Sequence, residues 1–337
     1  MANLQDQARR CYAEEINLSN DDFVEMLCLD GCFVIEFLRK RIHPESRLQN
    51  DPIFQMLWLF SATKNDLILF ENQLPFFVLL QLFDMTKSPG EENLIDLAIH
   101  LPLLGNFPHP GLNSHSTIRE YYKAVHLLGL MHKILSASFS ETLPSTMNSN
   151  RTDSNLTIKS AGELRQSGIK FKKAEDSKSL FRITFENGVL KIPPLVVEDR
   201  TEPFCRNLIA YEEYMSNPTE TWRCISDYII FIDCLIDSPS DVEALRRHDT
   251  IVNQLGSDEA LSTMFNKLSN HVHVGGRFCY TKIFDDVDKY TRRRWHIWRA
   301  HLLSKYFNNP WAFISFLAAC ALLLLTSVQA IFSILQY

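Results

Sequence analysis

Four polar side chains in strongly apolar surroundings are the residues of this sequence that could carry out chemistry. Asp30 interrupts an apolar helical face, and Glu71, Asn72 and Gln73 separate the two apolar runs of NDLILFENQLPFFVLLQLF. If these residues converge in a pocket with perturbed pKa values, they could form an active site. Buried polar groups more commonly satisfy one another, because an unpaired one is costly. We therefore predict a structural polar clasp of Asp30, Glu71, Asn72 and Gln73, with a catalytic site as the alternative.

Possible metal ligands occur in two places. Asp233, Asp237 and Asp241 are spaced four residues apart, but Asp237 falls at a predicted helix break. The three therefore do not share a helix face, and a helix cap and surface charge explain them. Three histidines lie among prolines in a spacing that fits no zinc signature and indicates a loop: His100, His109 and His115. We expect no metal site and no cofactor.

The sequence contains no recognised catalytic motif: GxSxG, P-loop, GxGxxG, HExxH and kinase signatures are all absent. The protein is therefore predicted not to be an enzyme. The net charge is −6, from 34 basic and 40 acidic residues, which gives no support to nucleic-acid binding. Eight cysteines form no CxxC pair, and we interpret them as free thiols in a reducing compartment.

The elements that must position these side chains are predicted to be mainly helices. Phe23, Leu27, Val34, Phe37 and Leu38 recur at helical spacing. Capping residues, and prolines suited to the first turn of a helix, predict where several helices begin: Ser19 with Asp22, Asp51 with Pro52, Pro75, and Ser238 with Pro239 and Asp241.

A polar stretch divides the helical part. Residues 136–160 contain 14 Ser, Thr or Asn among 25 residues, and they cannot bury enough apolar surface to repay ordering. Beyond it, Asn187-Gly188 separates two alternating runs and predicts a β-hairpin. These signals predict four consecutive parts: an N-terminal helical part (1–135), a flexible loop with a basic stretch (136–178), a hairpin and helical part of the same domain (179–307), and a C-terminal anchor (308–337).

The C-terminal segment is predicted to be a transmembrane helix. Residues 308–337 contain no charged residue, and WAFISFLAACALLLLTSVQAIFSIL is 25 residues long. About 20 apolar residues of helix suffice to cross a bilayer. We expect the lipid bilayer to be a partner, and the predicted span includes Trp311, Phe316, Leu323, Gln329 and Leu335.

Basic residues precede this segment and none follows it, so the positive-inside rule predicts a cytosolic domain with a single C-terminal anchor, with the plasma membrane as a candidate location. They could also contact the membrane surface, or form an ordinary solvated helix face: Arg292, Arg293, Arg294, Arg299 and Lys305. The N-terminus has no apolar h-region, and no signal peptide is predicted.

Motifs along nearly the whole chain resemble a plant family called domain of unknown function 247. They include CYAEEINLSNDDFVEMLCLDGCFVIEFLRK, NDLILFENQLPFF, SAGELRQSGIKFK, ITFENGVLKIPPL, FCRNLIAYEE, SPSDVEALRRHDTIVNQLGSDEALSTMFNKLS and YFNNPWAFISFLAACALLLLTSVQAIFSILQY, in the family's order. The resemblance implies a plant source, a mainly helical domain, a C-terminal membrane segment and no established activity. Members usually carry a further N-terminal segment before CYAEE, so this chain is shortened relative to them.

Two function classes remain after this comparison. Some grass members of the family are linked to pollen-side self-incompatibility, which suggests recognition or signalling. We therefore predict a membrane-anchored recognition or interaction protein with an unknown protein partner. The alternative is an uncharacterised enzyme with a polar site in its helical core.

Overall fold

The computed structural model describes eight parts of the chain: residues 4–99, 121–140, 158–175, 179–215, 223–270, 272, 278–292 and 310–335. Helices dominate these parts, as the sequence predicts. The first seven are α1 Gln5–Arg9, α2 Asn20–Ile42, α3 Pro52–Gln55, α4 Leu57–Asp66, α5 Phe76–Thr86, α6 Leu94–Ile99 and α7 Leu127–Ser140. The others are α8 Ala161–Gln166, α9 Thr201–Met215, α10 Cys224–Leu235, α11 Pro239–Arg246, α12 Asp258–Leu268, α13 Thr281–Arg292 and α14 Pro310–Leu335.

Side-chain caps confirm the predicted helix starts at Ser19 and Asp51. The Oγ of Ser19 accepts a hydrogen bond from the Asp22 amide at 3.2 Å, at the start of α2. Oδ1 of Asp51 accepts from the Ile53 amide at 3.2 Å, with Pro52 as the first residue of α3. These side chains satisfy N–H groups that a helix leaves unpaired in its first turn, which is why such residues mark helix starts in sequence.

Helix α2 packs against α5 in the N-terminal part of the chain. The predicted apolar face of α2 is buried, including Phe23, Leu27 and Leu38, and it meets Phe76 and Phe83 of α5 in one continuous core. Gly31 lies at the closest approach, where a Cβ atom would collide with Leu82. The missing side chain therefore lets the two helices pack closely.

Two small sheets connect the helical parts. Strands β1 (Lys170–Lys173), β2 (Thr184–Glu186) and β3 (Val189–Ile192) form a sheet in the order β1-β3-β2. The predicted hairpin is confirmed: β2 and β3 pair antiparallel, with Phe185 opposite Leu190. β1 runs parallel to β3, and a second parallel pair joins β4 (Leu195–Val197) to β5 (Ile251–Asn253).

The parallel pairings were not predicted, and β1 and α8 both lie inside the segment 136–178 that was predicted as a loop. Residues 141–157 of that segment lie outside the described part of the chain, as do His100, His109 and His115.

The prediction of a transmembrane helix at 308–337 is wrong. In the described ranges, no helix combines the length and hydropathy needed to cross a membrane. Crossing requires roughly 20 continuous apolar residues. The fold class is therefore mainly helical with a small hairpin, without the predicted membrane element.

The hairpin turn gives a test of this fold. Gly188 has φ of +77°, and a Cβ atom there would collide with the Tyr290 ring, which packs edge-on against Phe185 at 5.6 Å. Gly90 has a similar φ of +83° but open space around it. We predict that Gly90→Ala lowers the free energy of unfolding by about 1 kcal/mol through backbone strain alone. Gly188→Ala should cost about 1–3 kcal/mol more, because the turn must also move away from the ring. Equal losses in urea unfolding of the two variants would contradict the packing of Tyr290 on this turn.

Candidate functional site

Gln73 is the best connected of the four residues predicted to form a polar clasp. Its Nε2 donates to the carbonyl oxygens of Leu67 at 3.0 Å and Leu69 at 2.7 Å. Its Oε1 accepts from the Leu128 amide of α7 at 2.9 Å. One side chain thus closes the turn after α4 and joins it to α7.

The other three residues have more exposed positions. Asn72 donates to the Asp66 carbonyl at 2.9 Å and closes the same turn as Gln73. Glu71 is exposed in that turn, and Asp30 is exposed on α2. Burial, followed by the charges of Cys11 and Asp30, raises the pKa of Tyr12 to about 12. The structure therefore brings Asn72 and Gln73 together in one turn, and places Asp30 on a different element.

The residues predicted for the membrane region are only partly described. Arg292 ends α13 and pairs with the Asp288 carboxylate at 2.8 Å, whereas Arg293, Arg294, Arg299 and Lys305 lie outside the described residues. On α14, Phe316, Leu323 and Gln329 are exposed. The side chains of Trp311 and Leu335 lie outside the described part.

Asp233, Asp237 and Asp241 all line one open polar cavity of about 530 Å³, although they do not share a helix. Oδ1 of Asp241 accepts from the Gly162 amide at 2.7 Å, and its Oδ2 accepts from the Ser238 amide and hydroxyl at 3.0 and 2.7 Å. Asp241 therefore acts as the predicted cap and also ties α8 to α11. Burial, with the nearby charge of Asp237, raises the pKa of Asp233. In the parts of the chain that the structure covers, no three His, Cys, Asp or Glu side chains are placed to hold a metal ion.

Glu212 forms a buried polar centre that the sequence analysis did not single out. Its Oε1 accepts from the Ile225 amide at 3.0 Å, and its Oε2 accepts from the Ser226 amide and hydroxyl at 2.9 and 2.7 Å. The His132 ring, through Nε2, lies 2.8 Å from Oε1. A carboxylate of α9 therefore caps the N-terminus of α10, where backbone N–H groups and the helix dipole favour negative charge.

This centre predicts a large stability effect. In Glu212→Gln, the new amide group replaces one oxygen and faces donors instead of accepting from them. We expect the free energy of unfolding to fall by roughly 2–3 kcal/mol, because buried N–H groups lose their acceptor. Glu243→Gln, in an exposed pair with Arg247, is the matched control and should change stability by less than about 0.5 kcal/mol. Denaturant unfolding of both variants makes the comparison, and a stability of Glu212→Gln equal to wild type would refute the capping role.

Asp227, also on α10, is the second buried carboxylate of the region. Its Oδ2 accepts from the Cys279 amide at 2.8 Å, while its Oδ1 is buried without a hydrogen bond. Burial raises its pKa to about 7. Burial also raises the pKa of the neighbouring Cys279 thiol, followed by Cys224 and Asp227. A nucleophilic cysteine needs a lowered pKa, so this pair has the wrong electrostatics for thiolate chemistry.

Asp227 predicts a pH dependence of stability. Its pKa is about 7 in the folded protein and near 3.8 when unfolded, so the folded state binds the proton more tightly between these values. Stability from this group is therefore present at low pH and is lost as pH rises from about 4 to about 7. Asp227→Asn should remove this loss. Unfolding free energies at pH 5, 6, 7 and 8 would show the stability difference between wild type and variant changing with pH; parallel curves would contradict the assignment.

Aromatic rings from α2, α3 and α4 pack together as an aromatic base, and the same part of the chain carries several exposed apolar side chains. The Phe37 ring of α2 stacks on Phe54 at 5.5 Å and on Phe60 at 5.6 Å, and Phe33 stacks on Phe37 at 6.4 Å. Five large apolar side chains on or between the helices that carry these rings are exposed, and we call them the apolar surface: Phe33, Leu48, Met56, Leu57 and Trp58. Leu57 and Trp58 are 84% and 68% exposed.

Arg47 and Lys40 hold the loop that joins α2 to α3. The Arg47 guanidinium lies 4.5 Å from the Phe54 ring centroid and donates to the carbonyl oxygens of Lys40 and Arg41 at 2.6 and 3.0 Å. Lys40 pairs with the cap residue Asp51 at 2.9 Å. These hydrogen bonds and this ring contact hold the loop between α2 and α3, which carries Leu48, against the end of α2.

Comparison with known proteins gives the family. A family model described as "Plant protein of unknown function" (DUF247) matches residues 1–325. This chain belongs to that family. It is 31% identical over 358 residues to "UPF0481 protein At3g47200" of Arabidopsis thaliana, covering all of this chain and 73% of the relative. It is 32% identical over 176 residues to "Putative UPF0481 protein At3g02645" of the same plant, covering 52% of this chain and 32% of the relative. No solved structure matches the chain.

The DUF247 model is described as a protein of unknown function, so it assigns no functional residues, and the candidates are those that the geometry of this chain indicates. In this family member, the sequence carried a signal for Glu212 but none for the apolar surface. Glu212 follows Phe204 and Leu208 at intervals of four residues, which places it on the buried face of α9. The run Met56 to Phe60 is uniformly apolar at a helix start, so periodicity cannot show which side chains are buried.

Proposed function

We propose that this DUF247 protein is a recognition protein that binds another protein through the apolar surface, and that it is not an enzyme. The observation that carries the proposal is the exposure of the neighbouring side chains Leu57 and Trp58 on α4, the helix whose Phe60 packs on the rings of Phe37 and Phe54. Contiguous exposed apolar residues are unusual on a monomer and mark interaction sites. Tryptophan is among the residues that contribute most to binding energy when a partner buries it.

The charge around the apolar surface favours an acidic partner. Residues 39–64 contain five lysines and arginines against two carboxylates, a net charge of +3, whereas the whole chain carries −6. This segment includes four of the five residues of the apolar surface. Complementary charge steers encounter and selects partners. The partner we propose therefore presents apolar side chains flanked by Asp or Glu.

The positions of the polar residues support recognition over the enzyme alternative. Asp30 and Glu71 are exposed on separate elements, and both polar ends of Gln73 are occupied by backbone groups. Recognition also fits the self-incompatibility roles that the resemblance suggests for some grass members. We place the recognition domain in the cytosol, in keeping with the free thiols of the described cysteines.

The apolar surface can be tested by a matched pair of variants. We predict that Leu57→Ser with Trp58→Ala abolishes partner recovery by proximity labelling in plant cells. Met85→Ser, which changes a 65% exposed apolar residue at the end of α5, should leave recovery unchanged. The recovered partner, purified and mixed with the protein, should bind the double variant about 30-fold more weakly, as expected for the loss of about 2 kcal/mol at a hot spot.

Circular dichroism and thermal unfolding of both variants should match wild type, because the changed side chains are exposed. Equal binding by wild type and the double variant would overturn the proposal. Binding lost in the Met85→Ser variant as well would place the interface elsewhere.

A further inference from the structure

The exposed side of α2 carries two large apolar side chains among acidic residues. Leu29 and Phe33, one helical turn apart, are 64% and 45% exposed. Asp22, Glu25 and Glu36 of the same helix are also exposed. Steps of three or four residues separate these five positions, so they lie along one face of the helix. We call these five residues the acidic stripe.

The opposite side of α2 is buried, so the acidic stripe takes no part in the core. The residues that α2 contributes to the core include Leu27, Val34 and Leu38. Asp22 accepts a hydrogen bond from the Ser19 hydroxyl at 2.6 Å, and Glu36 lies 3.4 Å from Arg39. Arg39 is bound more closely by Glu91, at 2.6 Å, so Glu36 is not fully neutralised. The stripe therefore remains an acidic face with an apolar centre.

The apolar surface has the complementary charge. Three carboxylates and no cation give the acidic stripe a net charge of −3, whereas residues 39–64 carry +3. Arg47, next to Leu48 of the apolar surface, donates to the carbonyl oxygens of Lys40 and Arg41, and these contacts leave its positive charge in place. A partner with apolar side chains flanked by Asp or Glu suits this surface, and the acidic stripe of the same protein has that composition.

Ring contacts connect the acidic stripe to the helix that carries Leu57 and Trp58. Phe33, which belongs to both the stripe and the apolar surface, stacks on Phe37 at 6.4 Å. Phe37 in turn stacks on Phe60 of α4 at 5.6 Å. One packed unit thus carries both complementary parts. Such a unit can pair with its own copy about a two-fold axis, so that each part meets its complement.

We propose that the partner of the apolar surface is a second copy of this chain, whose acidic stripe docks on Leu57 and Trp58. This inference rests on the proposed function, because it names the partner of the same surface. Apolar side chains of the stripe cover Leu57 and Trp58, while its carboxylates face the basic segment 39–64 and set the orientation. The contact forms twice about a two-fold axis, and assembly stops at a dimer.

Sedimentation of the full chain tests this dimer. Wild type should dimerise, and its Kd should rise with NaCl concentration because exposed charges are screened. Leu57→Ser with Trp58→Ala changes the apolar surface, and Glu25→Lys with Leu29→Ser changes the acidic stripe. Each double variant should dimerise about 100-fold more weakly, because the altered contact occurs twice in the dimer. Glu25→Lys alone, which keeps a good helix former, should weaken dimerisation about tenfold and keeps the test valid if Leu29→Ser fails to fold.

Two matched controls separate the docking surfaces from general effects of charge and hydrophobicity. Glu243→Lys reverses an exposed carboxylate on α11, as Glu25→Lys does on α2. Met85→Ser removes an exposed apolar side chain at the end of α5, as Leu29→Ser does on α2. Both controls should dimerise with the wild-type Kd.

Mixing the two double variants identifies the occupant as a second copy. The stripe variant still has an intact apolar surface, and the surface variant still has an intact acidic stripe. One of the two contacts is therefore complete in the mixed dimer and neither is complete when a variant pairs with itself. With one variant carrying a fluorescent label, the mixed dimer should form about tenfold more tightly than either variant pairs with itself.

Two results would overturn the inference: a wild-type chain that remains a monomer up to about 100 μM, or a dimer whose Kd is unchanged in Glu25→Lys with Leu29→Ser. A monomeric wild type, together with a different protein that binds through Leu57 and Trp58, would overturn the second copy as the partner and retain the recognition function. Dimerisation and partner recovery that both survive Leu57→Ser with Trp58→Ala would overturn both proposals.

Discussion

The carboxylate of Glu212 is the interaction on which the packing of the central helices depends. It joins three helices at one point: α9 carries it, α10 donates two amides and a hydroxyl to it, and α7 brings His132 to 2.8 Å. Burying a carboxylate is unfavourable unless donors replace its water, and the first turn of a helix has unpaired donors to give. The relative positions of α7, α9 and α10 are therefore fixed by chemistry as well as by apolar contact.

Aromatic contacts connect Glu212 to the turn after α4. Tyr211, the neighbour of Glu212 in sequence, packs edge-on against His132 and His126 at 5.2 Å each and against Phe70 at 6.5 Å. The Phe70 amide donates to Oδ1 of Asn207 on α9 at 2.7 Å. The turn after α4 is thus held from both sides, by Asn207 and by Gln73. The ends of α4 and α5 take their positions from the same centre.

Sequence predicted the parts of this fold that depend on neighbouring residues. The caps at Ser19, Asp51 and Ser238 and the turn at Asn187-Gly188 need only a few residues to form, so composition and spacing reveal them. The parallel pairing of Phe171 with Leu190 and of Leu195 with Ile251 joins distant segments, and neither strand carries information about its partner. The same holds for Gln73, whose polarity was evident but whose acceptors lie in the turn after α4 and whose donor lies on α7.

Apolar composition alone led to the wrong prediction of a membrane span at α14. It also left open which side chains of Met56 to Phe60 are buried. A run of apolar residues is compatible with a core, a membrane or a binding surface, because all three remove apolar area from water. The ambiguity at α4 is resolved by which side chains find partners in the fold: Phe60 stacks on Phe37 and Phe54, whereas Leu57 and Trp58 remain exposed. Arg47 stabilises that difference, since it covers Phe54 while its donors hold two carbonyl oxygens near the end of α2. A surface held in place before binding loses little conformational entropy on binding, and exposed side chains on a fixed base suit recognition better than the same side chains on a free loop.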